Sequence, residues 1–156
     1  MASENDAGPL AYNWRDVGVW LNEHADDDGG GVGSSNSLAV GRLLRCGQIE
    51  GRDWECLGGP RTIINLRMQP DDCGALFEGG AAAAAAGATC QHIHISAANS
   101  LEKYDTADPA VAAWLNKVLH AIAAAEPPVL VHCRSGKDRT GVVVAACLAI
   151  LGTTCS

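Results

Sequence analysis

Basic residues are scarce. The 156 residues hold 11 Lys and Arg against 18 Asp and Glu, for a formal net charge of −7. Nucleic-acid backbones and anionic membranes select broad basic surfaces, so neither is an expected partner. An anion bound here has to meet a local positive pocket. No two of the seven cysteines form a C-x-x-C, and their number is odd. This argues against a disulfide framework and against a zinc knuckle, and free thiols fit a reducing compartment. The N-terminus, MASENDAGPL, has no apolar signal-peptide core, and Ala2 excludes the myristoylation pattern. The longest apolar run, Val142 to Leu151, falls short of the about 20 residues that a bilayer span needs. The expected protein is cytoplasmic, without an integral membrane segment.

Hydrophobic residues make up 47% of the chain, enough for a core, and the length suits a single domain over residues 1–156. Residues 1–10 read as a disordered tail, and the acidic and Gly/Ser-rich stretch 24–37 as a surface loop. The low-complexity run Gly79–Gly87 is given no function. Four short apolar runs read as strands: Arg42–Cys46, Thr62–Leu66, His92–Ser96 and Val129–His132. The last is continuously apolar and bounded by Pro127-Pro128, the pattern of a strand buried on both faces. The third alternates, with Ile93 and Ile95 on one face and His92 and His94 on the other.

Val111, Leu115, Val118, Leu119 and Ile122 recur at helical spacing between the last two strands. Asp108-Pro109 reads as that helix's N-cap and first residue, and Glu126-Pro127 as its stop. A second helix is expected from near Arg139 through the following apolar run. Strands alternating with helices predict an α/β fold with parallel pairing. The expected architecture is a central four- to five-stranded, mostly parallel sheet flanked by helices.

The chemistry lies in VLVHCRSGKDRTGVVVA, from Val129. A buried strand runs into Cys133, and an apolar helix follows Arg139 and Thr140. Backbone N–H groups of Arg134, Ser135, Gly136, Lys137, Asp138 and Arg139 then have neither strand nor helix partners. They can curl into an anion cradle at the helix N-terminus. Gly136 lets the backbone turn and approach closely. Arg139 offers a planar fork for two phosphate oxygens. A thiol at the base of such a cradle is expected to lose its proton readily, from an ordinary pKa of about 8.5 to roughly 3.5–7.5, which makes Cys133 the candidate nucleophile. Thr140 can donate its hydroxyl to the sulfur and help the thiolate leave. The Walker pattern fails, because Asp138 follows Lys137. A sulfurtransferase loop fits the Arg-Thr ending less well.

His132-Cys133-Arg134-Ser135-Gly136-Lys137-Asp138-Arg139-Thr140 resembles, at every position, the H-C-x5-R-[ST] signature of the cysteine-based protein tyrosine phosphatase superfamily. Asn13–Gly18, Gly41–Gly47 and Thr62–Arg67 are similar to the "NFRDxGG", "GxLxRSG" and "xVIDLR" motifs of its atypical GKDRTG-loop members, which include bacterial secreted lipid-and-protein phosphatases. The resemblance covers residues 13 to 152. Cys46 stands where those proteins usually have Ser. The resemblance implies a phosphatase that acts on phosphotyrosine in proteins, dual specificity included, through a phosphocysteine, with no metal or other cofactor. A phosphoinositide substrate, favoured by Arg134 and Lys137, and a phosphate-binding module without turnover are the alternatives.

A leaving alkoxide or phenolate benefits from a proton donor. The GKDRTG resemblance points to Asp138, inside the loop. Asp105, ahead of the helix, matches the upstream acid of most dual-specificity phosphatases and ranks second. Asp108 ranks last, as a plain N-cap. His132 is expected to support the loop by hydrogen bonding. His92 and His94 read as exposed strand histidines rather than metal ligands. Cys73, Cys90 and Cys147 read as buried thiols, and Trp14, Trp20, Trp54 and Trp114 as core or rim packing. Related phosphatases carry further helices beyond the loop helix. Here little sequence follows, so the N-terminal segment, a partner or missing chain has to cover that helix.

Overall fold

The computed structural model describes residues 11–24, 38–71, 90–97 and 104–152. The tail, the Gly/Ser-rich stretch beyond His24, the run Gly79–Gly87, Cys73 and Cys155 lie outside the described residues. Five strands form one sheet in the order β1-β2-β5-β3-β4, comprising β1 (Arg15–Asp16), β2 (Leu43–Cys46), β3 (Thr62–Asn65), β4 (Gln91–His94) and β5 (Val129–His132). β5 pairs in parallel with both β2 and β3, and β3 with β4. β1 pairs antiparallel with β2, Arg15 opposite Arg45. Among the described residues there are three helices: α1 (Val17–His24), α2 (Pro109–Ala124) and α3 (Asp138–Ile150). The expected mostly parallel α/β sheet is present. Its antiparallel edge and α1 are additions, and strand ends differ from the expected ones by a residue or two.

The alternation of side chains along the strands sorts the core into two layers. Leu43, Ile64, Val129 and Val131 point to the face that packs Val17 of α1, Trp114 and Val118 of α2, and Val143, Val144 and Leu148 of α3. Leu44, Ile63 and Leu130 point to the other face, where Ile49 and Leu57 close the layer. β5 is therefore buried on both faces, as its unbroken apolar run predicts. Val17 of α1 belongs to the same core layer as Val143, Val144 and Leu148 of α3, and a cavity of about 340 Å³ lies between Val17 and Trp20 on one side and Val144 and Leu148 on the other. Ile150 and Leu151 remain exposed.

Local chemistry sets the helix starts. Asp108 caps α2 by accepting from the Ala110 N–H at 2.8 Å, with Pro109 in the first turn. Asp16 accepts from the N–H groups of Gly18 and Val19 at the start of α1, and through its other oxygen from Gly41 N–H at 2.7 Å. A Cβ on Gly18 would lie 2.7 Å from the Ala39 carbonyl oxygen, so that position needs a glycine. The Trp14, Trp54 and Trp114 indoles donate to the carbonyls of Leu57, Pro60 and Ile95, which fits packing rather than ligand binding. Cys90 and Cys147 are half-buried rather than buried. Burial nevertheless pushes the Cys147 thiol up to about 11.

Candidate active site

Three parallel strands end side by side, with β5 between β2 and β3. Their carboxyl ends meet at the edge where open α/β sheets place ligands. β5 delivers Cys133, which is 2% exposed. The chain then bends through Arg134–Lys137 into α3. The first i to i−4 bond of α3 is Gly141 N–H to the Lys137 carbonyl, at 2.7 Å. None of the N–H groups of Arg134, Ser135, Gly136 and Lys137 donates to another described residue. Open amides at a helix N-terminus form an anion-accepting cradle.

The cradle's carbonyl side is tied down at each residue from Arg134 to Gly136. The Arg134 carbonyl accepts from Gln48 N–H at 3.0 Å. The Ser135 carbonyl accepts from Asn13 Nδ2 at 2.7 Å, and Asn13 itself holds a φ of 56°. The Gly136 carbonyl accepts from Arg45 Nη2 at 2.5 Å. Gly136 has a φ of 69°, and a Cβ there would lie 2.5 Å from the Cys46 carbonyl carbon. Only glycine fits both the conformation and the approach. With the carbonyls turned outward to these donors, the amides are left facing the other way.

Beneath the loop runs a charged chain that the sequence does not announce. His132 is fully buried, and its Nε2 donates to Asp71 Oδ2 at 3.0 Å. Asp71 Oδ1 accepts from Arg67 Nη2 at 2.8 Å, and Arg67 also pairs with Glu50. Burial by itself would raise the Asp71 carboxyl, but the contacts with His132 and Arg67 outweigh it and hold the carboxyl below the usual carboxylate range. The His132 side chain thus bonds to Asp71, while its backbone belongs to β5.

Arg139 is half-buried, and its Nη1 donates to the Leu66 carbonyl at 3.1 Å. Leu66 is held in turn by its own N–H donating to the His132 carbonyl at 2.9 Å. The guanidinium is therefore fixed by the end of β3. Arg139, Arg134 and Arg67 line one cleft of about 430 Å³ with Gln48, Met68 and Gln69. Arg134, Lys137 and Asp138 are exposed on the rim. Lys137 Nζ lies 5.8 Å from the centre of the Tyr12 ring.

The two candidate acids occupy different surroundings. Asp138 is the first residue of α3, and its Oδ1 accepts from the Tyr104 hydroxyl at 2.7 Å. Asp105 turns its carboxylate onto the Ala107 N–H at 3.1 Å, a local turn ahead of α2. The expected hydrogen bond from Thr140 to the Cys133 sulfur is not made. The Thr140 hydroxyl is fully buried and finds no partner among the described residues.

The strand histidines differ from expectation in one respect. His94 is exposed and its Nε2 contacts the Arg67 carbonyl at 2.7 Å, but His92 is half-buried. Burial lowers the His92 pKa, with His132 adding to the shift and Asp71 opposing it. Among the described residues no cluster of His, Cys, Asp and Glu is placed to hold a metal ion. Cys46 is fully buried beside the loop, and burial, then the neighbouring Cys133, pushes its thiol far up. Burial, with Arg15 beside it, lowers the Arg45 pKa, and Cys133 and Cys46 pull the other way.

Asn13, Arg45, Arg67, Asp71 and Tyr104 are the site residues that sequence reasoning did not single out. Asn13, Arg45 and Arg67 stood inside recognisable motifs with no role attached. Asp71 and Tyr104 carried no signal of their own.

The described geometry is a buried cysteine at the end of a central parallel strand, followed by four residues whose amides donate to no other described residue and by a half-buried arginine. A model of the tyrosine phosphatase family matches residues 9–155, and the chain belongs to that family. Phosphatase activity on a phosphorylated substrate follows from this membership in general terms. A search of curated proteins finds no match. No helix among the described residues is long and apolar enough to cross a membrane.

Proposed function

We propose that the chain hydrolyses phosphate monoesters, phosphotyrosine in proteins first among them with dual specificity included, through a phosphocysteine on Cys133. The observation that supports this reading is that Cys133, at the end of β5, directly precedes four amides, Arg134 to Lys137, that donate to no other described residue, while Arg139 is tied to the Leu66 carbonyl. In the first step the Cys133 thiolate attacks phosphorus in line. The bond from phosphorus to the leaving oxygen breaks, and Asp138 gives that oxygen its proton. The amides and Arg139 hold the charge that spreads over the three equatorial oxygens. In the second step water attacks phosphorus, Asp138 takes a proton from it, and Cys133 leaves as thiolate.

Thr140 is the donor assigned to the departing sulfur. Its support is the buried hydroxyl without a partner, a group that costs about 1–3 kcal/mol unless something uses it. Asp138 is preferred to Asp105 because it lies on the rim of the cradle, whereas Asp105 is engaged with its own turn.

A second reading, a phosphoinositide substrate, is favoured by Arg134 and Arg67 sharing the cleft with Arg139. Activity on phosphotyrosine peptides and on phosphoinositide vesicles, measured side by side, separates the two, and turnover confined to the lipid overturns the first choice. Hydrolysis of an aryl phosphate that is sensitive to vanadate, insensitive to chelators and lost in Cys133→Ser eliminates binding without turnover. Phosphate binding with no turnover would sink the enzyme reading.

A further inference from the structure

The chain has only two tyrosines, Tyr12 and Tyr104, and both sit on the loop's rim against consecutive residues, Lys137 and Asp138. The Tyr104 contact is the more informative. Its hydroxyl donates to Asp138 Oδ1 at 2.7 Å across 34 residues of sequence, although its side chain is largely exposed, at 61%. An exposed phenol gains little from burial, and this bond ties the ring to the first residue of α3.

The backbone that presents Tyr104 is itself constrained. The Asp105 carbonyl accepts from Asp108 N–H at 3.1 Å, and the Asp105 carboxylate accepts from Ala107 N–H. Asp108 then caps α2, and α2 is fastened to the end of β4 through Trp114 Nε1 and the Ile95 carbonyl. The turn that carries Asp105 therefore holds the backbone directly after Tyr104.

Resting on the reading of Asp138 as general acid, we infer that Tyr104 is a positioning residue that fixes the Asp138 carboxyl for proton transfer to the leaving group. A carboxyl on the first turn of a helix has two free torsions and two equivalent oxygens. The Tyr104 bond engages Oδ1, which leaves Oδ2 to carry the transferable proton. As the bond from phosphorus to the leaving oxygen breaks, its electron pair takes that proton from Oδ2 and Asp138 becomes a carboxylate. Tyr104 keeps its own proton throughout. The bond it donates strengthens as the charge appears on Asp138, because charge-assisted hydrogen bonds are the stronger kind. Holding a reacting group in its productive geometry is a recognised source of rate.

The test is the dependence of kcat/KM on leaving-group acidity, measured with a series of aryl phosphates on the full chain and on Tyr104→Phe, Asp138→Asn and the double variant. A good leaving group needs little help from an acid and a poor one needs much. Tyr104→Phe is expected to slow the poorest leaving groups about tenfold and to leave the most acidic phenol unchanged. Asp138→Asn is expected to show a larger selective loss, and adding Tyr104→Phe to it to cost nothing more. A Tyr104→Phe loss that is equal across the series, or one that persists in the Asp138→Asn background, overturns the positioning role while leaving Asp138 as the acid. If Asp138→Asn does not steepen the dependence and Asp105→Asn does, the acid assignment fails, and the positioning role with it. The ring is exposed, so thermal unfolding of Tyr104→Phe should match that of the parent, and a large drop would mark the residue as structural instead.

Discussion

The floor and the rim of the 133–139 loop are built from different materials. On the floor, His132, Cys133, Gly136 and Thr140 are buried. His132, Asp71, Arg67 and Glu50 form one continuous chain of contacts. On the rim, Arg134, Lys137 and Asp138 are exposed; Lys137 lies over Tyr12, and Asp138 accepts from Tyr104. The floor sets the shape of the cradle, where small displacements are costly. In the proposed reading, the rim is what would meet the group that carries the phosphate, where exchange of side chains is cheap. Shape and selectivity therefore lie on opposite sides of one short loop.

The contrast predicts a ranking. The largest effect is expected from Arg139→Lys, which keeps the charge but loses the planar fork. It should lower kcat/KM on an aryl phosphate by about 10²–10³-fold with little change in unfolding midpoint. A loss of less than about tenfold would mean that the fork is not used on phosphate.

Gly136→Ala comes next. Its φ of 69° and the 2.5 Å approach to Cys46 leave no room for a methyl group. Denaturant unfolding should show a loss of about 1–3 kcal/mol, accompanied by reduced turnover. The matched rim change, Lys137→Ala, should stay within about 0.5 kcal/mol. Equal losses at the two positions would erase the distinction between floor and rim.

Asp71→Asn should have a pH signature. The Asp71 carboxyl is held below its ordinary value of 3.8 in the folded chain. A depressed carboxyl contributes stability that is fully present above its unfolded pKa and is lost as pH falls through the folded one. At pH 7 the variant should therefore be less stable by about 1–3 kcal/mol, since His132 Nε2 loses its charged acceptor. The gap should close as pH drops below about 4. Unfolding midpoints at the two pH values check this, and a gap that stays constant would remove the charge from the account. The smallest effect is expected from Arg134→Ala. It should leave stability within about 0.5 kcal/mol and weaken binding chiefly of substrates that carry more than one phosphate.

Much of the floor was legible in the sequence, because it is local. Val129–His132 is a continuous apolar run, and the loop's Cys, Gly, Arg and Thr follow within a few residues, so one window contains strand, turn and helix start. Asp108-Pro109 was legible for the same reason. β1 was not, because a two-residue strand has no period to detect and is defined only by its pairing with β2. α1 has eight residues, opens on Val17 and contains Gly18, a weak local helix signal. Asp71 meets His132 across 61 residues, Arg45 meets Gly136 across 91 and Asn13 meets Ser135 across 122. Such contacts are created by the sheet order and leave no local pattern. Thr140 shows the opposite limit. The motif assigns its hydroxyl to the sulfur, but that hydroxyl has no hydrogen-bond partner among the described residues.

The central claim is that Cys133 carries the phosphoryl group. The most direct test mixes the protein with an aryl phosphate, quenches with denaturant during turnover, and maps the phosphorylated peptide by mass spectrometry. The account predicts a phosphate adduct on Cys133 in the parent, more of it in Thr140→Val, where the second step is slowed, and none in Cys133→Ser, which is also inactive. Turnover that persists in Cys133→Ser, or an adduct on another residue, would contradict it.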